Sequence, residues 1–119
     1  MTTGEYLYLN SRDELLRLDI NKIVFFEGDG NYTNIISANK LKGVVCMNLA
    51  RIQDLLNEKL REHAIIFVRV GKRYIVNLNY IYSINPMKQK LVLSDGYMFA
   101  YQLDIAKDAL KKLKNLHTK

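Results

Sequence analysis

The 119-residue sequence has very few of the residues that build disulfide and metal sites. It contains one cysteine, Cys46, and two histidines, His63 and His117. A lone cysteine cannot form an internal disulfide, and so few soft ligands cannot build a thiolate metal cluster. This usage is typical of a reducing cytoplasm, and we expect the isolated thiol to pack in the core as a small hydrophobe.

Long apolar runs are missing as well. No segment approaches the ~18 apolar residues of a membrane-spanning helix, and no charged-then-apolar leader is visible. Apolar residues make up 49% and charged residues 25% of the chain, as in ordinary folded domains. We therefore predict a single cytoplasmic domain over residues 1–119 with no membrane contact.

Catalytic and cofactor-binding patterns are also absent. The Gly28-Asp29-Gly30 segment lacks the later glycine of a dinucleotide fingerprint and the Gly-Lys-Ser/Thr of a P-loop, and a strand is predicted after it. Glu27 and Asp29 have no nucleophile near them in sequence. We expect neither an enzyme nor a cofactor.

The segments that are present alternate or are rich in β-branched and aromatic residues, which predicts strands. One strand opens the chain, a first meander follows, two short strands come next, and a second meander ends the sheet region. The predicted ranges are Glu5–Leu9, Lys22–Glu27, Tyr32–Ala38, Gly43–Met47, Ile66–Val70, Tyr74–Val76, Tyr80–Ile84, Lys90–Leu93 and Tyr97–Tyr101.

Helical patterns are limited to three places. Asn48 is a plausible N-cap for an amphipathic helix that follows it, and a second helix is predicted from about Leu103 to Leu116 with Asp104 at its start. Ser11 and Glu14 suggest a helical turn within residues 11–19. The predicted fold class is mainly β with two short amphipathic helices.

Positive charge is concentrated in the second part of the chain. Residues 1–68 carry eight basic and nine acidic side chains, whereas residues 69–119 carry ten basic and three acidic ones, so the net charges are −1 and +7. A solvated lysine-rich surface explains this about as well as a polyanionic partner does.

Three predicted turns hold polar or basic side chains that could contact nucleic acid. They are 29–34, 71–73 and 101–102. Asn, Gln and Arg can pair with base edges, and Lys and Arg anchor phosphates. Asn and Gly in the first turn are equally explained by turn geometry alone.

Two blocks of sequence resemble the LytTR DNA-binding domain of bacterial transcription regulators. They are DINKIVFFEGDGNYT over 19–33 and FVRVGKRYIVNLNYI over 67–81, and the resemblance runs from about residue 5 to 116. It implies an elongated stack of antiparallel sheets, a LytTR-like β-sandwich, that binds duplex DNA through loops entering successive major grooves. It also implies an effector domain in two-component signalling.

The resemblance also implies DNA-binding positions. They are Asn31, Thr33 and Asn34 in the first loop, Lys72 and Arg73 in the second, Gln102 before the final helix and Lys107 on that helix. Many family members have a histidine where this chain has residues 71–73, and often an arginine just before the final helix, where this chain has Gln102 or Leu103. Asn77 fits a structural role at a strand end.

The expected partner is double-stranded DNA, with a homodimer on a repeated site and an upstream receiver domain or sensor kinase as further expectations. Two alternatives stay open at this point. Eight tyrosines interspersed with Lys and Arg could stack on single-stranded nucleic acid or RNA. A protein-interaction module that has lost DNA readout would also fit the two departures from the family.

Overall fold

Three antiparallel sheets and two α-helices make up the computed structural model, which describes residues 5–10 and 13–117. The strands are β1 (Tyr6–Asn10), β2 (Leu15–Asp19), β3 (Ile23–Asp29), β4 (Tyr32–Ser37), β5 (Lys42–Val45), β6 (Phe67–Val70), β7 (Tyr74–Asn77), β8 (Ile81–Asn85), β9 (Lys90–Ser94) and β10 (Ala100–Asp104). The helices are α1 (Leu49–Leu60) and α2 (Lys107–His117), with short 3₁₀ helices at Arg61–Ile66 and Leu78–Tyr80.

A central five-stranded sheet organises the other elements. Its strand order is β5-β4-β3-β7-β6, so the first meander is continued by the two short strands, with β7 hydrogen-bonded to β3. The second meander forms a separate sheet of order β10-β9-β8, and β1 pairs with β2. Both predicted meanders are present, and the prediction of a mainly β fold with two helices is confirmed.

The two faces of the central sheet bury two separate cores. Phe26 is fully buried on one face, against α1 and the β1–β2 pair, together with Ile52 and Leu7. Phe25 points to the other face, where its ring meets the rings of Tyr74 and Tyr101 edge-on. Such edge-to-face pairs favour well-defined aromatic packing. The molecule is therefore layered, with extents of 42 × 38 × 27 Å.

Helix α1 begins where the sequence predicts it. The Asn48 side chain accepts a hydrogen bond from the backbone N–H of Arg51 at 2.9 Å, which satisfies one of the otherwise unpaired first-turn donors. Its apolar stripe is buried along the whole helix: Leu49, Ile52, Leu55, Leu56 and Leu60. Burial of this stripe fixes the start of α1 against the central sheet.

The predicted helical turn near residues 11–19 is wrong over the part that the structure describes. Residues 15–19 are strand β2, in antiparallel register with β1 from Tyr6↔Asp19 to Asn10↔Leu15. Leu18 is buried and Leu16 half-buried, so alternate side chains of this segment face the protein interior, as expected for a strand. Ser11, the predicted cap, lies outside the described residues.

The first predicted DNA-binding loop is shorter than expected, because β3 and β4 extend as far as Asp29 and Tyr32, which face each other. Gly30 and Asn31 alone form the turn, and Gly30 has φ of 61°, a conformation that glycine adopts readily. Thr33 therefore lies in β4, where it is completely buried and its hydroxyl donates to the carbonyl of Met47 at 2.7 Å. Its placement in an exposed loop is wrong.

The end of the chain differs from prediction in a similar way. The carboxylate of Asp95 accepts hydrogen bonds from the backbone N–H groups of residues 97–99, which builds a wide loop and delays the last strand to Ala100–Asp104. Gln102 thus lies inside β10, opposite Val92, and not in a turn. Helix α2 starts at Lys107 instead of Leu103, and Asp108 supplies the acidic residue of its first turn.

Cys46 was expected in the core but is exposed. It follows β5, and Val45 takes the inward position. Alternation along an extended chain then turns the next side chain to solvent.

Asn77 has the structural role predicted for it. The side chain is fully buried at the end of β7, its amide donates to the carbonyl of Ile23 at 2.8 Å, and its carbonyl accepts from the N–H of Asn79 at 2.9 Å. It joins the ends of β7 and β3 and starts the following 3₁₀ turn.

We expect Asn77→Ala to lower the free energy of unfolding by about 2–3 kcal/mol, because it leaves a buried carbonyl without its donor. Urea denaturation of both proteins measures this. Asn79→Ala is the matched control, since its side chain is exposed and it keeps the backbone N–H. Equal losses for the two variants would contradict the structural role of Asn77.

Candidate nucleic-acid interface

Several chain connections come together at one end of the central sheet. A groove there is lined by the β3–β4 hairpin, the start of α1 and the β6–β7 loop, through Gly28, Gly30, Asn48, Leu49, Ala50, Arg69, Lys72 and Arg73. A neighbouring groove joins the β6–β7 loop to the β10–α2 connection at Asp104, Ile105 and Ala106. We call the surface formed by 28–31, 48–50, 69–73 and 104–107 the loop surface.

The β6–β7 loop at its centre is tightly held. Gly71 has φ of 66° and opens a three-residue reversal between Val70 and Tyr74, which face each other in the sheet. Arg69 donates from Nη2 to the carbonyl of Lys72 at 2.8 Å, and the N–H of Gly28 donates to the carbonyl of Arg73 at 2.7 Å. A side-chain hydrogen bond from Arg69 thus attaches this loop to β6, and a backbone hydrogen bond attaches it to β3, so the loop presents its side chains from a fixed position.

Arg73 is paired with Glu27. Its Nη2 lies 3.0 Å from Oε2 of Glu27, and the side chains of Arg73 and Glu27 are 62% and 28% exposed. The Tyr74 hydroxyl lies 3.5 Å from the same carboxylate oxygen. Burial, followed by the charge of Glu27, raises the pKa of Tyr74 above its usual value, so this hydroxyl keeps its proton at neutral pH.

The start of α1 adds positive potential to the same groove. The first turn of this helix contains no acidic residue, so no charged side chain within it offsets the partial positive charge of the N–H groups that the Asn48 cap leaves unpaired. Arg69, Lys72 and Arg73 line the groove beside it. Arg69 Nε is buried without a hydrogen-bond partner among the described residues. The arrangement suits an anion.

The predicted site residues divide into two groups. Asn31, Lys72 and Arg73 are exposed in turns of the loop surface, and Lys107 is exposed at the first position of α2, directly after Ala106. A cation at a helix N-terminus is disfavoured by the helix dipole, so the position of Lys107 does not stabilise the helix.

The other predicted residues lie within strands. Asn34 is half-buried between Glu27 and Val44 in the central sheet. Gln102 is exposed on the outer face of the three-stranded sheet. Thr33 is buried and therefore has no surface to offer a ligand.

The sequence did not predict two residues that position the β6–β7 loop and its side chains. Glu27 restrains Arg73, and Arg69 supports the loop from β6 and lines the groove. The link between Glu27 and Arg73 spans 46 positions and depends on the pairing of β3 with β7, so no local pattern reveals it. Arg69 could have been found from its position three residues before Lys72 in the 67–81 block.

The exposed tyrosines do not support a single stacking platform. Tyr6 and Tyr8 lie on the two-stranded sheet, Tyr32 on the central sheet, Tyr82 on the three-stranded sheet and Tyr97 in the loop between β9 and β10. A single-stranded nucleic acid is bound by aromatic rings arranged along its path. This distribution gives the single-strand alternative no specific structural support.

No group of three or more His, Cys, Asp or Glu side chains within residues 5–10 and 13–117 could hold a metal ion. In the same part of the chain, neither helix is long and apolar enough to span a membrane.

Comparison with known proteins identifies the family. No curated protein sequence matches the chain. Among solved structures, the fold resembles the LytTr DNA-binding domain of a Bacillus cereus protein named as a methyl-accepting/DNA response regulator, with 19% sequence identity, a TM-score of 0.65 and coverage of 97% of both chains. The family model of the LytTr DNA-binding domain matches residues 13–118. The chain belongs to the LytTr DNA-binding domain family.

Proposed function

We propose that the protein binds double-stranded DNA through the loop surface. The observation that carries this proposal is the cluster formed by Arg69 in β6 with Lys72 and Arg73 on the reversal that follows, beside the start of α1. Cations and helix N-termini are the groups that bind DNA phosphates. Membership of a family of DNA-binding domains supports the same conclusion and also supports a role other than catalysis.

Different parts of the loop surface suit different contacts. Lys72 and Lys107 are exposed cations that would grip phosphates, whereas Asn31 and Arg73 can form paired hydrogen bonds with base edges. Asn34 and Gln102 stand farther from the turns and would contact DNA only at its margins. We propose that the turns of this surface enter adjacent major grooves, which are about 34 Å apart. The molecule is 42 and 38 Å long in its two larger dimensions and so is long enough to cover that distance.

The biological setting follows from this proposal. The chain would act in the bacterial cytoplasm as a transcription regulator or as the effector part of one, in two-component signalling. A receiver domain or a cognate sensor kinase would then control it, and a homodimer would occupy a repeated site. The similar solved structure, from a protein named as a response regulator, supports this setting.

Salt dependence tests the proposal directly. If the loop surface neutralises ~5 phosphates, the logarithm of the association constant should fall with the logarithm of salt concentration with a slope near −4.5. Fluorescence anisotropy of a labelled duplex at several salt concentrations measures this slope. Absence of binding at low salt, or a flat response, would contradict DNA binding; tighter binding to the corresponding single strand would favour the alternative.

Replacement of the two loop cations tests their location. Lys72→Ala with Arg73→Ala should weaken duplex binding about tenfold or more, because charge-assisted contacts are worth about 1–3 kcal/mol. The matched control is Lys22→Ala with Lys59→Ala, which removes the same charge. Lys22 precedes β3 and so lies about 20 Å from the hairpin, and Lys59 is at the far end of α1. Equal losses in affinity would indicate diffuse charge attraction instead of a loop-centred site.

Thr33 is left out of the proposed interface, and this can be tested separately. Thr33→Val keeps the side-chain shape but removes the hydroxyl that donates to Met47. We expect a loss of about 1 kcal/mol in the free energy of unfolding, with duplex affinity unchanged in the folded protein. Denaturation and anisotropy measurements on the same sample check both; a tenfold loss of affinity without a stability change would place Thr33 at the DNA.

A further inference from the structure

We propose that Glu27 determines specificity by restraining Arg73. Its carboxylate holds one edge of the guanidinium and cancels its charge, so that Arg73 contributes to binding at a preferred sequence and little to binding of any DNA. Glu27 acts through Arg73 and does not itself contact DNA. This inference rests on the proposed function.

The contact leaves Arg73 only partly engaged. A single nitrogen, Nη2, bonds to Glu27, and no other hydrogen bond of the guanidinium is found within the part of the chain that the structure describes. The side chain stays 62% exposed. A guanidinium carries five donors in a planar fork, so its remaining edge is free to form a bidentate contact with a base.

The carboxylate itself is well fixed. Glu27 lies in β3 between Asn34 on β4 and Tyr74 on β7, and the Tyr74 hydroxyl is 3.5 Å from the oxygen that binds Arg73. The backbone is fixed too, since the N–H of Gly28 donates to the carbonyl of Arg73. The strand and the Tyr74 hydroxyl thus position the Glu27 carboxylate to orient Arg73.

Lys72, the neighbouring cation, shows the contrast. It is exposed and forms no ion pair with any residue described in the structure. Sequence-independent binding comes mainly from cations that neutralise phosphates and release counterions. Lys72 can do this with its full charge, whereas the Arg73–Glu27 pair has no net charge to offer. In this loop, Lys72 therefore contributes to binding of any DNA sequence, whereas Arg73 contributes to preference for one sequence.

Glu27→Gln tests the role of the carboxylate. It removes the charge but keeps a side chain of the same shape that can still accept a hydrogen bond. For a duplex of unrelated sequence, we expect affinity to rise about three- to tenfold and the salt slope to steepen by about 0.9, the value for one more phosphate contact. For the best duplex selected from a random pool we expect a smaller rise, so that the ratio of the two affinities falls.

Glu58→Gln is the matched control, because Glu58 is exposed near the far end of α1 and loses the same charge. It should leave the salt slope unchanged. In the Arg73→Gln background, Glu27→Gln should no longer steepen the slope. Steepening that persists there, or that appears equally in the control, would show a general charge effect and overturn the proposal.

Other outcomes are also decisive. An unchanged slope for Glu27→Gln, or equal weakening on both duplexes in a protein of unchanged stability, would show that Glu27 does not restrain Arg73 as proposed. If Glu27→Gln does not fold, Arg73→Gln alone decides: it should weaken the selected duplex about tenfold and the unrelated one much less, and equal losses would overturn the inference. Failure of the unmodified protein to bind either duplex would instead reject the proposed function itself.

Discussion

The pairing of β7 with β3 is the interaction on which the rest of the structure depends. It inserts a strand from the second half of the chain beside the first meander and so completes the central sheet. Asn77 secures one end of this pair through Ile23, and the Gly28–Arg73 hydrogen bond secures the other. The two cores form on opposite faces of the resulting sheet, and the basic loop is placed beside the hairpin and the start of α1. The stability of the fold and the geometry of the loop surface therefore share one cause.

The sequence predicts local features well because they depend on local chemistry. The start of α1 follows from the Asn48 cap and the leucine stripe, and the strands of both meanders follow from their apolar and β-branched residues. Segment 15–19 could not be assigned in this way, because its alternating apolar residues form a strand only through pairing with β1, which a local pattern does not show. The late start of β10 depends on the backbone contacts of Asp95, which composition does not reveal.

The candidate site shows the same division. Lys72 and Arg73 are visible in the sequence as a basic pair after a glycine, and the structure places them in an exposed turn. The burial of Thr33 could not be foreseen, since it depends on the carbonyl of Met47, which lies 14 positions away. The link between Glu27 and Arg73 depends on a still longer connection. Local patterns thus identify the cations, while tertiary contacts decide which of them are free.

The charge asymmetry of the chain takes on a more specific meaning in this light. Residues 69–119 carry a net charge of +7. On the loop surface, however, Arg73 from this segment is paired with Glu27 from the near-neutral segment 1–68. Net charge therefore overstates the positive field that a phosphate backbone would meet at this loop. A domain that must choose among sequences gains from such an arrangement, because each unpaired cation strengthens binding to every DNA equally. Pairing an arginine on the protein removes that uniform attraction and keeps the directional hydrogen bonds by which one base pair differs from another.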